Sequence, residues 1–322
     1  MKRFVSTVAV ALALLALQPL KAGAEELLIP VGRVIGLQLQ NDVVTVVAYD
    51  DILGQQARSA GLKIGDEIVT VDQIAVSSAE DVRTALQRCD DTVELTVRRG
   101  SKLNKVTLNP AHTEEGPRLG VYLRQGIAGI GTVTFYDPST GRFGTLGHGV
   151  SNGKGSLLTM TRGSAYEAAV QSVKRGKTGE PGQLKGSADG AASVGSLLRN
   201  TPQGVFGITR KGWKGEAVPV ADYEEITLGT ARIRCQVAGT DVQEYSVEIL
   251  KIYPETRSDG RNFLIRVTDP ELIASTGGIV QGMSGSPIIQ DGKLVGAVTH
   301  VLVNDPTRGY GIFIENMLDA AG

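Results

Sequence analysis

The stretch Gly282-Met283-Ser284-Gly285-Ser286-Pro287 places a serine between glycines, just before an apolar segment. A turn at Asp291-Gly292 and the apolar run Leu294 to Val298 follow it. We interpret this as an exposed serine on a tight turn between two strands, because glycine lets the backbone bend until its N–H groups converge. The N–H groups of Ser284 and Gly282 are therefore predicted to form an oxyanion hole, where each donor typically contributes about 10²–10³ in rate. The alternative is an ordinary Gly/Ser turn in a β-hairpin.

The pattern Gly-x-Ser-Gly-[Ser/Gly]-Pro resembles the nucleophile segment of chymotrypsin-like serine proteases. The composition agrees with a β-rich protein, since 41 glycines and many Val/Ile/Thr runs favour strands joined by tight turns. A length of 322 residues is enough for about two domains.

The charge balance and the cysteine content argue against a nucleic-acid-binding protein, a disulfide-rich protein and a zinc protein. Lys+Arg (33) nearly equals Asp+Glu (34), which gives no support for nucleic acid as a partner. The two cysteines, Cys89 and Cys235, do not make a disulfide framework, and no Cys/His cluster has the spacing of a zinc site. We therefore expect no metal and no cofactor.

The first residues have the pattern of an export signal. Lys2-Arg3 precedes an apolar run from Phe4 to about Leu17, and Ala22-Gly23-Ala24 offers small residues for cleavage. The run is short for a membrane span, which needs about 20 apolar residues. Residues 1–24 are thus predicted to be a signal peptide or an uncleaved N-terminal anchor, and the rest of the chain is expected to be exported.

Residues 30–110 are predicted to form a small α+β domain, with an amphipathic helix from Ser78 to Cys89. The run AGLKIGDEIVTVD, residues 60–72, resembles the PDZ domains attached to bacterial proteases. The resemblance implies a peptide ligand that adds as an extra strand beside the helix. The backbone of Arg33, Val34, Ile35 and Gly36 would then hold the terminal carboxylate. The alternative is that the groove only docks onto the second domain. Residues 111–117 are interpreted as a linker.

A serine nucleophile needs a base, and that base needs a group that fixes its tautomer. The chain has three histidines. His148, framed by glycines in GTLGHG, is the best candidate base, since His112 lies in the predicted linker. Asp269 is our choice as the third member, with Asp137 as the alternative. Asp269 also fits an Asp-Pro turn or the N-cap of a helix that begins at Pro270.

The order of signal segment, PDZ-like domain, GTLGHG and VTDPELIASTGGIVQGMSGSPIIQDGKLVGAVTH resembles the SpoIVB peptidase family, the stage IV sporulation protein B. The resemblance implies a chymotrypsin-like double β-barrel over residues 118–322, with His148, Asp269 and Ser284 as catalytic residues. It implies a self-processing serine endopeptidase that is exported into the space between forespore and mother cell. There it would cleave a protein substrate, a membrane-bound sporulation regulator, and so trigger sigma-factor activation.

The position of His300 and the intact His148 and Ser284 each lead to a further hypothesis. His300 follows the strand after the nucleophile, where chymotrypsin-like proteases build the wall of the P1 pocket, and so becomes a candidate for a polar P1 preference. The alternative to an enzyme is an exported PDZ adaptor whose protease-like domain is a non-catalytic scaffold. Intact His148 and Ser284 favour the enzyme.

Overall fold

The computed structural model describes residues 26–89, 91–153, 155–188, 190–253 and 259–322. The predicted signal segment 1–24 lies outside these residues. With 54% strand and 11% helix, the protein is mainly β, which confirms the predicted fold class. Within the described residues, we find no helix with the length and apolar character needed to cross a membrane.

Antiparallel strands make up most of the described chain, and helices are few and short. The helices are α1 Gly54–Ser59, α2 Ala79–Leu86, α3 Pro270–Thr276 and α4 Ile314–Ala321, with a single 3-10 turn at Tyr223–Glu225 among the described residues. The strands are β1 Leu27–Pro30, β2 Val34–Tyr49, β3 Glu67–Val71, β4 Ile74–Ala75, β5 Val93–Arg99, β6 Lys102–Leu108, β7 Ala111–Thr113, β8 Gly116–Arg118, β9 Val121–Tyr136, β10 Arg142–Thr145, β11 Arg162–Glu167, β12 Ala169–Lys174, β13 Gln183–Ser187, β14 Ser193–Thr201, β15 Gly204–Ile208, β16 Val218–Pro219, β17 Gly229–Ala238, β18 Asp241–Ile252, β19 Phe263–Val267, β20 Pro287–Gln290, β21 Lys293–Leu302 and β22 Asp305–Phe313.

The first barrel includes β2, at the start of the predicted PDZ region, and β9, which follows that region. Its order is β2-β9-β10-β15-β14-β11, and β11 pairs back onto β2. Alternate residues of these strands face inward, so Val133, Phe143 and Val205 are almost fully buried in its core. Closure removes the free strand edges that would otherwise pair with other chains.

The second barrel is formed by β17-β18-β19-β22-β21-β20. Its core packs Ile233, Phe263 and Ile288, all fully buried, against Phe313. Together the two barrels confirm the double-barrel architecture that the sequence resemblance implied.

The PDZ domain lies inside the first barrel's sequence rather than before it. Its sheet uses the second half of β2 and the first half of β9, together with β3, β5 and β6. Helix α2 packs on this sheet through Val82, Ala85 and Leu86, and Ser78 caps it by accepting a hydrogen bond from the Asp81 N–H.

The predicted boundaries differ from the structure in two places. The start of β2, predicted to open the PDZ domain, pairs with β9 and β11 in the barrel, from Val34↔Thr132 to Leu39↔Ile127. Residues 111–117, predicted as a linker, form most of the hairpin β7–β8. The physical reason is that two 16-residue strands each cross both domains, and pairing between segments about 90 residues apart leaves no local signal in the sequence.

Candidate active site

Ser284 lies on a tight turn between α3 and β20. Gly282 and Gly285 hold the turn with φ angles of +100° and +97°, a region that favours glycine. A Cβ atom at Gly285 would lie 2.0 Å from the Thr132 carbonyl oxygen. The glycine at this position is therefore required by the close approach of the first barrel.

Strand β9 of the first barrel holds this turn through three hydrogen bonds. The Thr132 N–H donates to the Ser284 carbonyl at 3.1 Å, and the Thr132 hydroxyl donates to the Gly282 carbonyl at 2.8 Å. The Thr134 hydroxyl donates to the Gly285 carbonyl at 2.8 Å. Both threonines are fully buried. No sequence pattern identifies their role, because a threonine in an alternating strand gives no indication of the loop that it contacts.

A cavity of about 610 Å³ lies where the two barrels meet. Ser284, Gly282, His148 and His300 all line it, so the structure brings together the predicted nucleophile, base, oxyanion-hole glycine and pocket residue. The remaining lining is mostly apolar: Leu37, Leu39, Ile127, Gly129, Ile130, Leu146, Gly149, Val150, Ser151, Ile279, Val280, Gln281, Thr299 and Val301.

The His148 ring is held in the tautomer that a general base requires. Its Nδ1 lies 3.0 Å from the Gly149 carbonyl oxygen. A carbonyl oxygen only accepts hydrogen bonds, so we assign the proton to Nδ1, which leaves Nε2 as the acceptor. Burial lowers the pKa of His148 below its ordinary value, and the bond to Gly149 partly opposes this shift. The imidazole is therefore neutral at pH 7.

The Ser284 hydroxyl donates a hydrogen bond to the Thr299 carbonyl oxygen at 2.8 Å and not to His148. Transfer of the hydroxyl proton to His148 would require that bond to break. For the N–H groups of Gly282 and Ser284, we find no acceptor within the described part of the chain. Both N–H groups are thus available to an incoming oxyanion, as the predicted oxyanion hole requires.

The structure does not bring Asp269 to His148. The Asp269 carboxylate caps α3 by accepting hydrogen bonds from the N–H groups of Glu271 (3.0 Å) and Leu272 (3.2 Å). It also accepts a hydrogen bond from the Ser246 N–H at 3.2 Å. Pro270 at the first helical position fixes this N-cap geometry. In this arrangement the Gly149 carbonyl, rather than Asp269, orients the His148 ring.

Asp137, the alternative third member, is also occupied elsewhere. Its carboxylate accepts hydrogen bonds from the Ser139 N–H, the Ser139 hydroxyl and the Thr140 hydroxyl, within the turn after β9. Among the described residues, neither candidate carboxylate is hydrogen-bonded to His148.

His300 lies beside His148, with ring centroids 5.4 Å apart. Its Nδ1 is buried, and no partner for it is found in the described chain. Burial is the main cause that lowers the pKa of His300 to about 4, and the nearby His148 adds to the shift. His300 therefore faces the cavity as a neutral ring at pH 7.

The predicted carboxylate loop of the PDZ domain is wrong in position. Val34, Ile35 and Gly36 belong to the paired barrel strand β2, and the Val34 N–H donates to the Gln236 side chain at 3.0 Å. Arg33 directly precedes that strand. None of these four residues borders the groove of the PDZ domain.

The PDZ groove itself is a cavity of about 230 Å³ between α2 and the start of β9. Val82, Leu86 and Leu123 give it apolar walls, and Arg118 lies at its border. The backbone turns at Gly120, whose φ is +71° and whose Cβ would lie 2.3 Å from the Leu53 carbonyl oxygen. Residues 119–121 therefore line this groove, whereas residues 33–36 do not.

The model of the SpoIVB peptidase S55 family matches residues 115–318, and that of the PDZ domain matches residues 34–109. No curated protein matches the chain. Among solved structures, the PDZ domain of the SdrC-like protein Lmo2051 from Listeria monocytogenes is 24% identical and aligns over 26% of this chain and 87% of its own, with a TM-score of 0.22.

The Rv3671c protease of M. tuberculosis is similar in two forms. The active form is 15% identical over 62% of this chain and 75% of its own, with a TM-score of 0.36. The inactive form is 14% identical over 61% and 85%, with a TM-score of 0.34. These structural likenesses are remote, whereas the family match spans more than half of the chain and confirms the resemblance stated from the sequence.

Proposed function

We propose that this chain, which belongs to the SpoIVB peptidase S55 family, is a serine endopeptidase in which Ser284 is the nucleophile and His148 the general base. The observation that carries the proposal is that both side chains line one cavity, with the His148 proton assigned to Nδ1. The free Nε2 can then take the proton of Ser284.

The proposed reaction is acyl transfer to the Ser284 hydroxyl. The Ser284 oxygen attacks the scissile carbonyl carbon while its proton moves to His148 Nε2, and the N–H groups of Gly282 and Ser284 hold the oxyanion. His148 then gives the proton to the leaving amine, and water hydrolyses the acyl-enzyme by the same steps. The Gly149 carbonyl supports the imidazolium that forms, because it accepts the Nδ1 proton at 3.0 Å.

The biological role that we propose follows from the family match and the N-terminal sequence. The peptidase would be exported by residues 1–24, process itself and act between forespore and mother cell. Its substrate would be a membrane-bound sporulation regulator whose cleavage leads to sigma-factor activation. The family match and the Lys2-Arg3, apolar and small-residue pattern support this role.

The PDZ domain is proposed to regulate the peptidase by binding an extended peptide. The edge of β9 beside α2 offers backbone groups for an added strand, and the walls of the groove are apolar. A free C-terminal carboxylate would lie at residues 119–121, next to Arg118.

The test combines active-site labelling with sequencing. A fluorophosphonate probe is expected to label the full chain and not its Ser284→Ala variant, and self-cleavage is expected to stop in that variant. N-terminal sequencing of the purified forms then reports signal removal and the cleavage sites together. Equal labelling of wild type and Ser284→Ala would remove the assignment. It would leave the alternative function, an exported PDZ adaptor with a non-catalytic scaffold.

A further inference from the structure

One strand, β9, runs from the PDZ groove to the turn that carries Ser284. Its first residues, Val121 to Leu123, border the groove and pair with β2 on the other side. Its later residues Thr132 and Thr134 bind the nucleophile turn. The separation from Val121 to Thr132 corresponds to about 35 Å of extended strand.

The two halves of β9 are joined at a bulge rather than interrupted by a loop. The register with β2 shifts between Leu39 and Val44, opposite Gly126, where φ is +77° and a Cβ would lie 2.0 Å from the Leu39 carbonyl oxygen. The Gln125 side chain stabilises this bulge, because its amide donates hydrogen bonds to the carbonyl oxygens of Asn41 and Ser77 at 2.8 Å each. The strand is thus tied to the PDZ domain immediately before it enters the barrel.

The nucleophile turn depends on β9 for three of its carbonyl groups. Thr132 and Thr134, both fully buried, donate hydrogen bonds to the carbonyl oxygens of Gly282, Ser284 and Gly285. A small shift of β9 along its axis would therefore move the N–H groups and the hydroxyl of the turn as well. The Ser284 hydroxyl, bonded to the Thr299 carbonyl, must move before it can react.

We propose that Thr132 and Thr134 are positioning residues that fix the nucleophile turn and couple it, through β9, to the peptide groove of the PDZ domain. The inference rests on the proposed serine peptidase activity. It adds to that activity the two residues and the single strand through which the PDZ domain would regulate it.

The first test removes one hydroxyl and leaves the side-chain shape unchanged. Thr132→Val leaves the buried Gly282 carbonyl without its donor, and we expect fluorophosphonate labelling to slow by roughly tenfold. Thr132→Ser should restore most of the rate, because it restores the donor. Thr209→Val is the matched control, since Thr209 is also buried and also donates to a carbonyl, that of Val194, away from the turn.

The second test is a double-mutant cycle between the groove and the turn. Gly120→Ala forces a Cβ against the Leu53 carbonyl and so displaces the groove end of β9. Sites this far apart normally act additively. We expect the effects of Gly120→Ala and Thr132→Val on the labelling rate to deviate from multiplicativity by more than about threefold. Leu95→Ala, in the PDZ core on β5, should combine multiplicatively with Thr132→Val.

The possible results distinguish the positioning role and the coupling from the peptidase assignment on which they rest. Labelling of Thr132→Val within twofold of Thr209→Val would overturn the positioning role. Multiplicative effects of Gly120→Ala and Thr132→Val would overturn the coupling. Labelling of Ser284→Ala at the wild-type rate would instead refute the peptidase assignment itself, whatever the threonine variants do.

Discussion

His300 makes the structure sensitive to acid, and the size of this effect can be worked out. Its pKa is about 4 in the folded protein, mainly because burial disfavours the charged ring, against an ordinary value of 6.5. The unfolded chain therefore binds a proton at pH values where the folded chain does not. Stability is fully present above about pH 6.5, falls as the pH drops below it, and levels off near pH 4.

The magnitude follows from the shift. A difference of one pKa unit corresponds to about 1.36 kcal/mol, so the shift of His300 corresponds to about 3 kcal/mol. His300 is partly exposed, and solvent screening reduces this figure to about 2 kcal/mol. We expect His300→Gln, which cannot take up a proton, to remove this part of the acid destabilisation.

The assay is urea unfolding at pH values from 7.5 to 4.5, in the Ser284→Ala background so that self-digestion does not interfere. Trp213, the single tryptophan, packs edge-on against Tyr136 and Phe143, so its fluorescence reports on the first barrel. His112→Gln, at an exposed position of β7 outside the cavity, is the matched control for a histidine-to-glutamine substitution, and its unfolding should keep the pH dependence of the wild type. An identical pH dependence in His300→Gln and in the wild type would refute the reasoning.

Four shorter predictions follow from the same contacts. His148→Ala should reduce labelling by at least about 10⁴-fold without unfolding the protein, as circular dichroism would check. The labelling rate of the wild type should stay at its plateau to below pH 6.5, because burial lowers the pKa of His148, and a midpoint above 6.5 would contradict this. Gly285→Ala should cost about 3 kcal/mol or more, since it combines a positive φ with a backbone clash at Thr132, and a melting temperature within 2 °C of wild type, roughly the precision of the measurement, would contradict it. Asp269→Ala should cost about 1 kcal/mol through loss of the N-cap and leave labelling near the wild-type rate, whereas a loss of about 10⁴-fold would show that Asp269 is catalytic.

Local sequence signals predicted the elements that depend only on local chemistry. The serine turn was recognisable because glycines and apolar flanks determine its geometry within a few residues. Helix α2 was predicted from the face shared by Val82, Ala85 and Leu86, and the structure places its N-cap at the predicted first residue, Ser78. His148 could be selected by elimination, because the chain has only three histidines. In each of these cases the deciding contacts lie close together in the chain.

The roles of Asp269 and of the Gly149 carbonyl show why part of the site escaped prediction. Sequence order and family resemblance marked Asp269 as a charged residue in the right segment, but its carboxylate is satisfied by the N–H groups of Ser246, Glu271 and Leu272. The group that orients His148 is a backbone carbonyl, which every residue possesses. No residue type could therefore have identified it.

The shared strands account for the largest difference between sequence and structure. Each half of β2 and β9 has the alternation of an ordinary strand, and the sequence therefore predicts a boundary between domains near residue 110. Instead β2 enters the PDZ domain from the barrel, and β9 returns from the PDZ domain to the barrel beside it. A domain inserted through two paired strands cannot move independently of the barrel without breaking or sliding that pairing. The pairing of β2 with β9 is thus the physical reason to expect that the peptide groove and the nucleophile turn are energetically coupled.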